Sequence, residues 1–367
     1  MSSFTAASAT ASLLSASSAA SSASTSPSNA MCQRLSISTA AARTEGERSA
    51  SPRRIADARS AMDTDATGTF EVSARYATLR TSSAASLVLS TTCGMVWSEM
   101  ASEPKMALRT CGDREWLGRV ASGEVVLGVG ATEAIGAREG AGLTLSGDKV
   151  SGRASFVMGG EAATHFLLTT GDQLLIVERA SAGVQEVALT TIDKTRHAMN
   201  LDLEGATAHL VAGNNHGEAQ SKMIDTGRVL LAADTLGAAS RMLEKAVDYS
   251  KDREQFNRPI ASFQAVKHMC AEMAAKLEPC RSLVWYAAYA QDHVPEEAGL
   301  TSRLAKAHLS EVGKFVARTA TEVHGGMGFT DLLGLHYWFK RIGANRQWLG
   351  GPQAVREEAA KLQGWVA

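Results

Sequence analysis

Three apolar stripes in the C-terminal part limit the fold of this 367-residue chain more than any other feature. Within each stripe the apolar residues advance by three or four positions, so each predicted helix has one apolar face. Such a face must be buried against another element, which predicts an antiparallel helical bundle over residues 223–367. The stripes are Val229, Ala232, Leu236, Ala239, Leu243 and Ala246, then Phe263, Val266, Cys270, Met273, Leu277, Cys280 and Val284, then Ala305, Leu309, Val312, Val316, Ala320 and Val323.

Upstream of the stripes, residues 107–222 have a different pattern. A helix over 107–120 is predicted first. Short apolar runs at 125–129, 166–168 and 174–177 then alternate with turns that contain Gly and Asp. Runs of this length and spacing predict an antiparallel β-sandwich or barrel, which forms a middle domain.

Residues 1–106 lack both patterns. Ser, Ala, Thr and Arg dominate residues 1–60, and the first acidic residue is Glu45. Such a segment buries too little apolar surface to offset the entropy of ordering it, so we predict a low-complexity, largely disordered region. An organellar transit peptide is the alternative, because it is also rich in Ser and poor in acid. The cytoplasm is therefore the expected location, with the mitochondrial matrix as the alternative.

Composition argues against several classes of protein. The net charge of −1 gives no general attraction to nucleic acid or an anionic membrane. The apolar runs are shorter than the roughly 18 residues of a membrane span. The five cysteines are odd in number and have no CxxC spacing, and the nine histidines have no HExxH spacing. We therefore expect a reducing compartment and no metal, nucleic-acid or membrane partner.

Residues 253–264 link the first two predicted bundle helices. Arg253 offers a planar fork of donors that suits a pyrophosphate, and Phe256 offers an aromatic face. Gln264 stands at the start of the second helix. A polar interhelical turn, in which Arg253 pairs with a glutamate, is the alternative interpretation.

A second segment, residues 322–329, ends the third predicted bundle helix. Gly325, Gly326 and Gly328 let the backbone approach a ligand closely, although an ordinary glycine cap would have the same composition. Both segments stand at an end of a bundle helix, and this combination favours a shared binding function.

Together these two segments resemble the C-terminal hallmarks of the acyl-CoA dehydrogenase family, at that family's separation. The resemblance covers residues 107 to 365 and implies an α+β multidomain fold. In that family a helical N-terminal domain precedes a middle β domain and a C-terminal helical bundle; here the N-terminal domain is absent or degenerate. The resemblance also implies FAD, held between the middle domain of one subunit and the bundle of its neighbour.

Residue by residue, Arg253, Phe256 and Gln264 match the family's cross-subunit FAD contacts, and Gly325 and Gly326 match its glycine pair. Glu322 stands where the family usually has glutamine, and it brings negative charge near a phosphate.

The middle-domain positions depart from the family. Residues 127–132 replace the segment that lines the flavin ring, and residues 155–157 (Ser-Phe-Val) replace tryptophan, isoleucine and threonine. The resemblance therefore implies a weak flavin half-site within this chain.

The catalytic glutamate of the family is missing from both of its known positions. One position falls on Leu349 or Gly350, and the other falls on Gly227. Neither leucine nor glycine can accept a proton. The nearest acids, Asp225 and Glu357, do not match either position. Residues 349–356 resemble base-lacking partner subunits of heteromeric acyl-CoA dehydrogenases of steroid side-chain breakdown.

The leading hypothesis is therefore an FAD-dependent acyl-CoA dehydrogenase subunit in fatty acid or steroid catabolism. Its reaction would be α,β-desaturation of an acyl-CoA thioester. This chain would be the non-catalytic partner that completes a flavin site, in a heterotetramer with a homologous base-bearing subunit. One alternative is a self-sufficient homotetramer with an unrecognised base. Another is a degenerate scaffold without enzymatic activity.

Overall fold

The computed structural model describes residues 102–131 and 141–366. The low-complexity prediction for residues 1–106 therefore lies almost wholly outside the described residues. The described part begins with helix α1 (Ser102–Cys111), which starts inside that predicted region.

Helices α1 and α2 (Arg114–Ser122) replace the single helix predicted over 107–120. Gly112, with a left-handed φ of 79°, interrupts the helix. Asp113 then caps α2, because its carboxylate accepts a hydrogen bond from the backbone N–H of Trp116 at 3.1 Å. The prediction of one continuous helix was wrong at this cap.

Seven strands form the middle domain, which confirms the predicted β architecture. They are β1 (Leu127–Gly130), β2 (Gly142–Ser146), β3 (Lys149–Met158), β4 (His165–Thr170), β5 (Gln173–Glu178), β6 (Val184–Leu189) and β7 (Ala198–Leu210).

The sheet is ordered β2-β3-β1-β4-β5-β7-β6, and an additional β3–β7 pairing closes it into a barrel. Strands β1 and β4 pair in parallel, in contrast to the wholly antiparallel prediction. The barrel interior is filled by apolar side chains from several strands, among them Phe166, Leu168 and Leu201.

Three long helices form the bundle: α3 (His216–Asp252), α4 (Gln264–His293) and α5 (Pro295–His324). The predicted stripes face one shared core, which confirms the helical bundle. Helix α3 begins at His216, so the predicted boundary between residues 222 and 223 falls inside it. The domain boundaries themselves stay a prediction.

Two shorter helices, α6 (Leu335–Gln347) and α7 (Pro352–Leu362), pack on α5, and α6 also packs on α3. Helix α1 contacts α3 from another side. Every residue of α3 from 223 to 236 is consequently buried. No helix in the described part is long and apolar enough to cross a membrane.

Candidate functional site

The relative direction of the bundle helices decides which sequence segments meet. Ser302, near the start of α5, donates a hydrogen bond to Asp225, near the start of α3. Near the other ends of the same helices, the rings of Tyr249 and His324 stack at a centroid distance of 4.5 Å. Helices α3 and α5 therefore run parallel, and the turns that follow them, which contain Arg253 and Gly325, lie at the same end of the bundle.

A short hairpin carries the first predicted segment. Strands β8 (Glu254–Gln255) and β9 (Arg258–Pro259) flank Phe256 and Asn257, whose φ angles are 52° and 60°. Positive φ at both central residues is the geometry of a type I′ turn, which favours Asn and Gly. The Phe256 side chain is 87% exposed, so burial does not offset its backbone strain. An exposed aromatic residue in a strained turn is a candidate contact for a ligand or partner.

Arg253 and Gln264 flank this hairpin and are both exposed. Across the described residues, the Arg253 guanidinium has no hydrogen-bond or salt-bridge partner, so the predicted alternative of a glutamate pair is not observed there. Gln264 is the first residue of α4, and its amide lies 3.3 Å from the Nε2 atom of His268. The guanidinium is thus available to an anion.

Residues Glu322, Gly325 and Gly326 lie at the end of α5 and are also exposed. Gly325 has φ 58° and ψ −140°, a conformation that favours glycine. Gly326 is not in this region, and a Cβ on it would meet no atom within 4 Å. No contact in the described part therefore requires glycine at position 326. The absence of a side chain there leaves space in which a ligand could approach the backbone.

The positions predicted for a catalytic base lie together at a different place along α3. A Cβ on Gly227 would stand 2.5 Å from the Cδ1 atom of Leu349, so these two positions are in contact. Leu349 is buried and has a φ of 52°, and Gly350 follows with a φ of 101°. The structure thus brings the two positions to one point, and neither carries an acid.

A third residue reaches the same point. The Oε1 atom of Glu103, in the first turn of α1, would stand 2.8 Å from a Cβ on Gly227. Glu103 is 6% exposed, and burial raises the pKa of its carboxyl to about 7, against a smaller lowering effect of Arg196. Among residues 102–131 and 141–366 its carboxylate has no hydrogen-bond or ion-pair partner. It is a buried carboxylate whose pKa lies near neutrality.

Buried cations hold the turn that contains Leu349. Arg228, 1% exposed, donates from Nε to the Leu349 carbonyl at 3.0 Å and from both Nη atoms to Glu358. Lys306 donates from Nζ to the Gly350 carbonyl at 3.2 Å, and burial lowers its pKa to about 7. The strained Leu349 backbone is therefore held from two helices.

The other nearby acids are engaged elsewhere. Asp225 accepts hydrogen bonds from Ser302 and Arg303, at 2.8 and 2.7 Å. Glu357 pairs with Lys361 on the outer face of α7. Within the part of the chain that the structure describes, no cluster of His, Cys, Asp and Glu could hold a metal.

The predicted flavin-facing segments of the middle domain lie partly in the barrel core. All four residues of β1 are buried, and a Cβ on Gly130 would stand 2.8 Å from a Leu168 methyl. Thr132 lies outside the described residues. Phe156 has a φ of 55°, and its N–H donates to the Asn200 side chain at 3.1 Å. Ser155 and Val157 are buried.

Comparison with known proteins agrees with this architecture. Residues 215–361 match the model of the acyl-CoA dehydrogenase C-terminal domain. Acyl-CoA dehydrogenase IpdE2 of Mycolicibacterium smegmatis is 34% identical over 211 residues, which are 58% of this chain and 61% of IpdE2. The caffeyl-CoA reductase–Etf complex subunit CarC of Acetobacterium woodii is 33% identical over 44% of each chain. The match therefore spans about three fifths of IpdE2 and less than half of CarC.

Among solved structures, a variant of the Tcur3481-Tcur3483 steroid ACAD has a TM-score of 0.63 and 28% identity. The alignment covers 72% of this chain and 74% of that one. Residues 215–361 therefore form an acyl-CoA dehydrogenase C-terminal domain, in a chain whose fold is similar to that of the steroid ACAD.

Glu103 is the functional candidate that sequence reasoning missed. It follows a segment without periodicity, and it matches neither of the family's base positions. Only a contact between α1 and α3 would reveal it, and no motif in the sequence encodes that contact.

Proposed function

We propose that this chain is an FAD-binding subunit of an acyl-CoA dehydrogenase that desaturates an acyl-CoA thioester between Cα and Cβ. The observation that carries this proposal is the exposed end of the bundle. This end carries the Arg253 guanidinium, which has no partner among the described residues, the strained and exposed Phe256, and the exposed backbone of Gly326. Arg253 and Gln264 would bind the pyrophosphate region, and Phe256 would contact a ring. FAD held there would supply the acceptor for the β-hydrogen, which leaves the substrate as hydride.

The distance between the two sites supports a flavin shared by two subunits. Gly227 and Arg253 are separated by 26 residues along α3. At 1.5 Å per residue this is about 39 Å of helix, far beyond the reach of any side chain. The Arg253 end would therefore contact the flavin of a neighbouring subunit, while the Gly227 region faces the substrate of its own subunit.

The absence of acids at Leu349, Gly350 and Gly227 supports a homologous partner that supplies the base, as in a heterotetramer. The names of two relatives support such pairing, since CarC is named as a complex subunit and the Tcur3481-Tcur3483 steroid ACAD is named for two proteins. In this arrangement the chain contributes Arg253, Phe256 and Gln264 to the flavin of the other subunit.

A self-sufficient homotetramer is the second candidate function. The observation in its favour is Glu103, which brings a carboxylate to the point where Leu349 and Gly227 meet. In this arrangement each subunit would supply both the Arg253 end and its own base.

The test of the shared flavin site is the affinity of the assembled protein for FAD. Arg253→Ala removes a charge-assisted hydrogen bond, worth about 1.5–3 kcal/mol, and should weaken FAD binding roughly tenfold or more. Arg241→Ala is the matched control. Arg241 is an exposed residue of helix α3, which ends just before Arg253, and it pairs with Glu244. Fluorescence titration with FAD measures both.

Two results would contradict the proposal. One is unchanged FAD affinity in a correctly assembled Arg253→Ala protein. The other is a wild-type chain that binds no flavin either alone or with a homologous partner, which would favour the non-enzymatic scaffold.

A further inference from the structure

The proposed desaturation requires a group that accepts the α-proton of the thioester. Neither Leu349 nor Gly227 can do so, and Asp225 and Glu357 are bound to Arg303 and Lys361. The carboxylate that reaches the place where Leu349 and Gly227 meet comes from α1, a different part of the chain.

We infer that Glu103 is the catalytic base of this chain and takes the α-proton of the bound acyl-CoA thioester. The inference rests on the proposed desaturation and favours the second of its two arrangements, because it takes the proton acceptor from this chain and not from a homologous partner. It is carried by the position of the Glu103 Oε1 atom, 2.8 Å from a Cβ on Gly227, beside the Leu349 side chain.

Steric exclusion explains why an acid cannot stand at Gly227 here. Any side chain at 227 would begin 2.5 Å from Leu349 and 2.8 Å from the Glu103 carboxylate, closer than nonbonded atoms approach. Glu103 thus occupies the space that a glutamate at 227 would need. The acid is supplied from α1, and the glycine at 227 is what leaves room for it.

The proton transfer balances without any further reactant. The Cα–H bond of the thioester breaks and an O–H bond forms on Glu103, while the bonding pair stays on the substrate as an enolate. Return of a solvent-derived proton from Glu103 to Cα reverses the step. In deuterated water, the protein would therefore exchange the α-hydrogen for deuterium even without an electron acceptor.

The surroundings of Glu103 suit this role. A general base works best when its pKa lies near the working pH, and burial raises the pKa of Glu103 from 4.5 to about 7. Arg196 is the charged group that opposes this shift, and its guanidinium is itself bound to Asp234 and Asn345. Of the charged groups on α3 near Gly227, Arg228 is paired with Glu358 and Asp225 with Arg303.

A buried carboxylate without a partner could also be a simple packing residue. That role would leave chemistry untouched when the shape is preserved, so the two interpretations differ in their response to Glu103→Gln. Glutamine keeps the size of the side chain but cannot accept the proton. Glu103→Asp keeps the acid and withdraws it from Gly227 by one methylene.

The test is deuterium incorporation at Cα, followed by mass spectrometry, with the flavin-loaded full chain in its native assembly. The probes are saturated straight-chain, arylpropionyl and steroid-side-chain acyl-CoA thioesters. Loss of a general base costs roughly 10²–10⁴-fold, so Glu103→Gln should lose exchange by that factor. Glu103→Asp should retain part of it. Glu357→Gln, at an exposed acid on α7, should exchange like the wild type.

The pH profile and chemical rescue distinguish a base from a structural residue. Wild-type exchange should rise with pH through an apparent pKa of about 7, and this limb should be missing from Glu103→Gln. Formate added to Glu103→Ala should restore part of the exchange, because it can enter the space that the side chain leaves.

The possible outcomes distinguish a failure of the role assigned to Glu103 from a failure of the proposed FAD-dependent function. Exchange that survives in Glu103→Gln, in protein that still binds FAD, would overturn the role of Glu103 and leave the proposed function intact. The absence of wild-type exchange with every probe, in flavin-loaded protein, would also overturn it. Failure of the wild type to bind FAD would instead contradict the proposed function.

Discussion

The two candidate functional regions of this chain differ in almost every physical property. The Arg253–Gly326 end of the bundle is exposed, and its residues come from two local turns. The Glu103–Gly227–Leu349 region is buried, and its three residues come from three distant parts of the chain. The first region is open to a ligand outside the chain, whereas the second is shielded from solvent.

This difference shows how each region obtains its chemistry. At the exposed end, the proposed binding depends on residue type. A guanidinium keeps its charge, an aromatic ring its flat face and a glycine its small size in any exposed turn. In the buried region, the proposed proton transfer depends on the surroundings of the residue. Burial away from water raises the pKa of Glu103 to about 7, whereas an exposed glutamate would keep its ordinary value. A substitution at the exposed end should therefore act mainly on ligand binding, whereas a substitution in the buried region should also have a large effect on stability.

The largest effect on stability is expected for Arg228→Ala. This change removes the buried donor of the Leu349 carbonyl and one of the two arginines that bind Glu358, which keeps its contact with Arg303. The free energy of unfolding should fall by about 4 kcal/mol, since an unsatisfied buried carbonyl costs about 1–3 kcal/mol and a lost charge-assisted hydrogen bond about 1.5–3 kcal/mol. Urea unfolding measures the loss, and Arg241→Ala on the exposed side of the same helix should change stability by under about 1 kcal/mol. Equal losses in the two variants would remove the distinction between buried and exposed regions.

An intermediate effect that depends on pH is expected for Glu103→Gln. The folded-state pKa of Glu103 lies above its ordinary value of 4.5, so its contribution to stability is complete below about pH 4.5 and is lost as pH rises through about 7. At about pH 8 the wild type should therefore be less stable than Glu103→Gln by up to about 3 kcal/mol, and near pH 5 by much less. Thermal unfolding at both pH values measures the difference. A constant difference across this range would show that the carboxyl is not desolvated.

The smallest effect is expected for Phe256→Asn in the exposed hairpin. Asparagine tolerates the left-handed φ of 52° better than phenylalanine, and little burial is lost with an 87% exposed ring. Stability should rise by about 1 kcal/mol, while the affinity for FAD should fall. Unfolding and flavin titration of the same protein check both signs. A stable variant with unchanged flavin affinity would show that Phe256 is only a turn residue.

Much of the exposed site and of the bundle could be predicted from the sequence. The stripes around Leu236, Leu277 and Val316 depend only on helical periodicity, and all three residues are buried in one core. The break at Gly112 and the parallel β1–β4 pair were missed, because one depends on a local cap and the other on barrel closure.

The sequence by itself determined which residues can be helical, which turn carries a guanidinium, and which positions lack an acid. These properties follow from residue type and spacing along one stretch of chain. Only the tertiary structure decided that Glu103, Gly227 and Leu349 meet, and that the Arg253 and Gly325 turns share one end of the bundle. The reason is physical: burial, and with it the pKa of Glu103, depends on how α1 packs against α3, and local spacing does not contain that information.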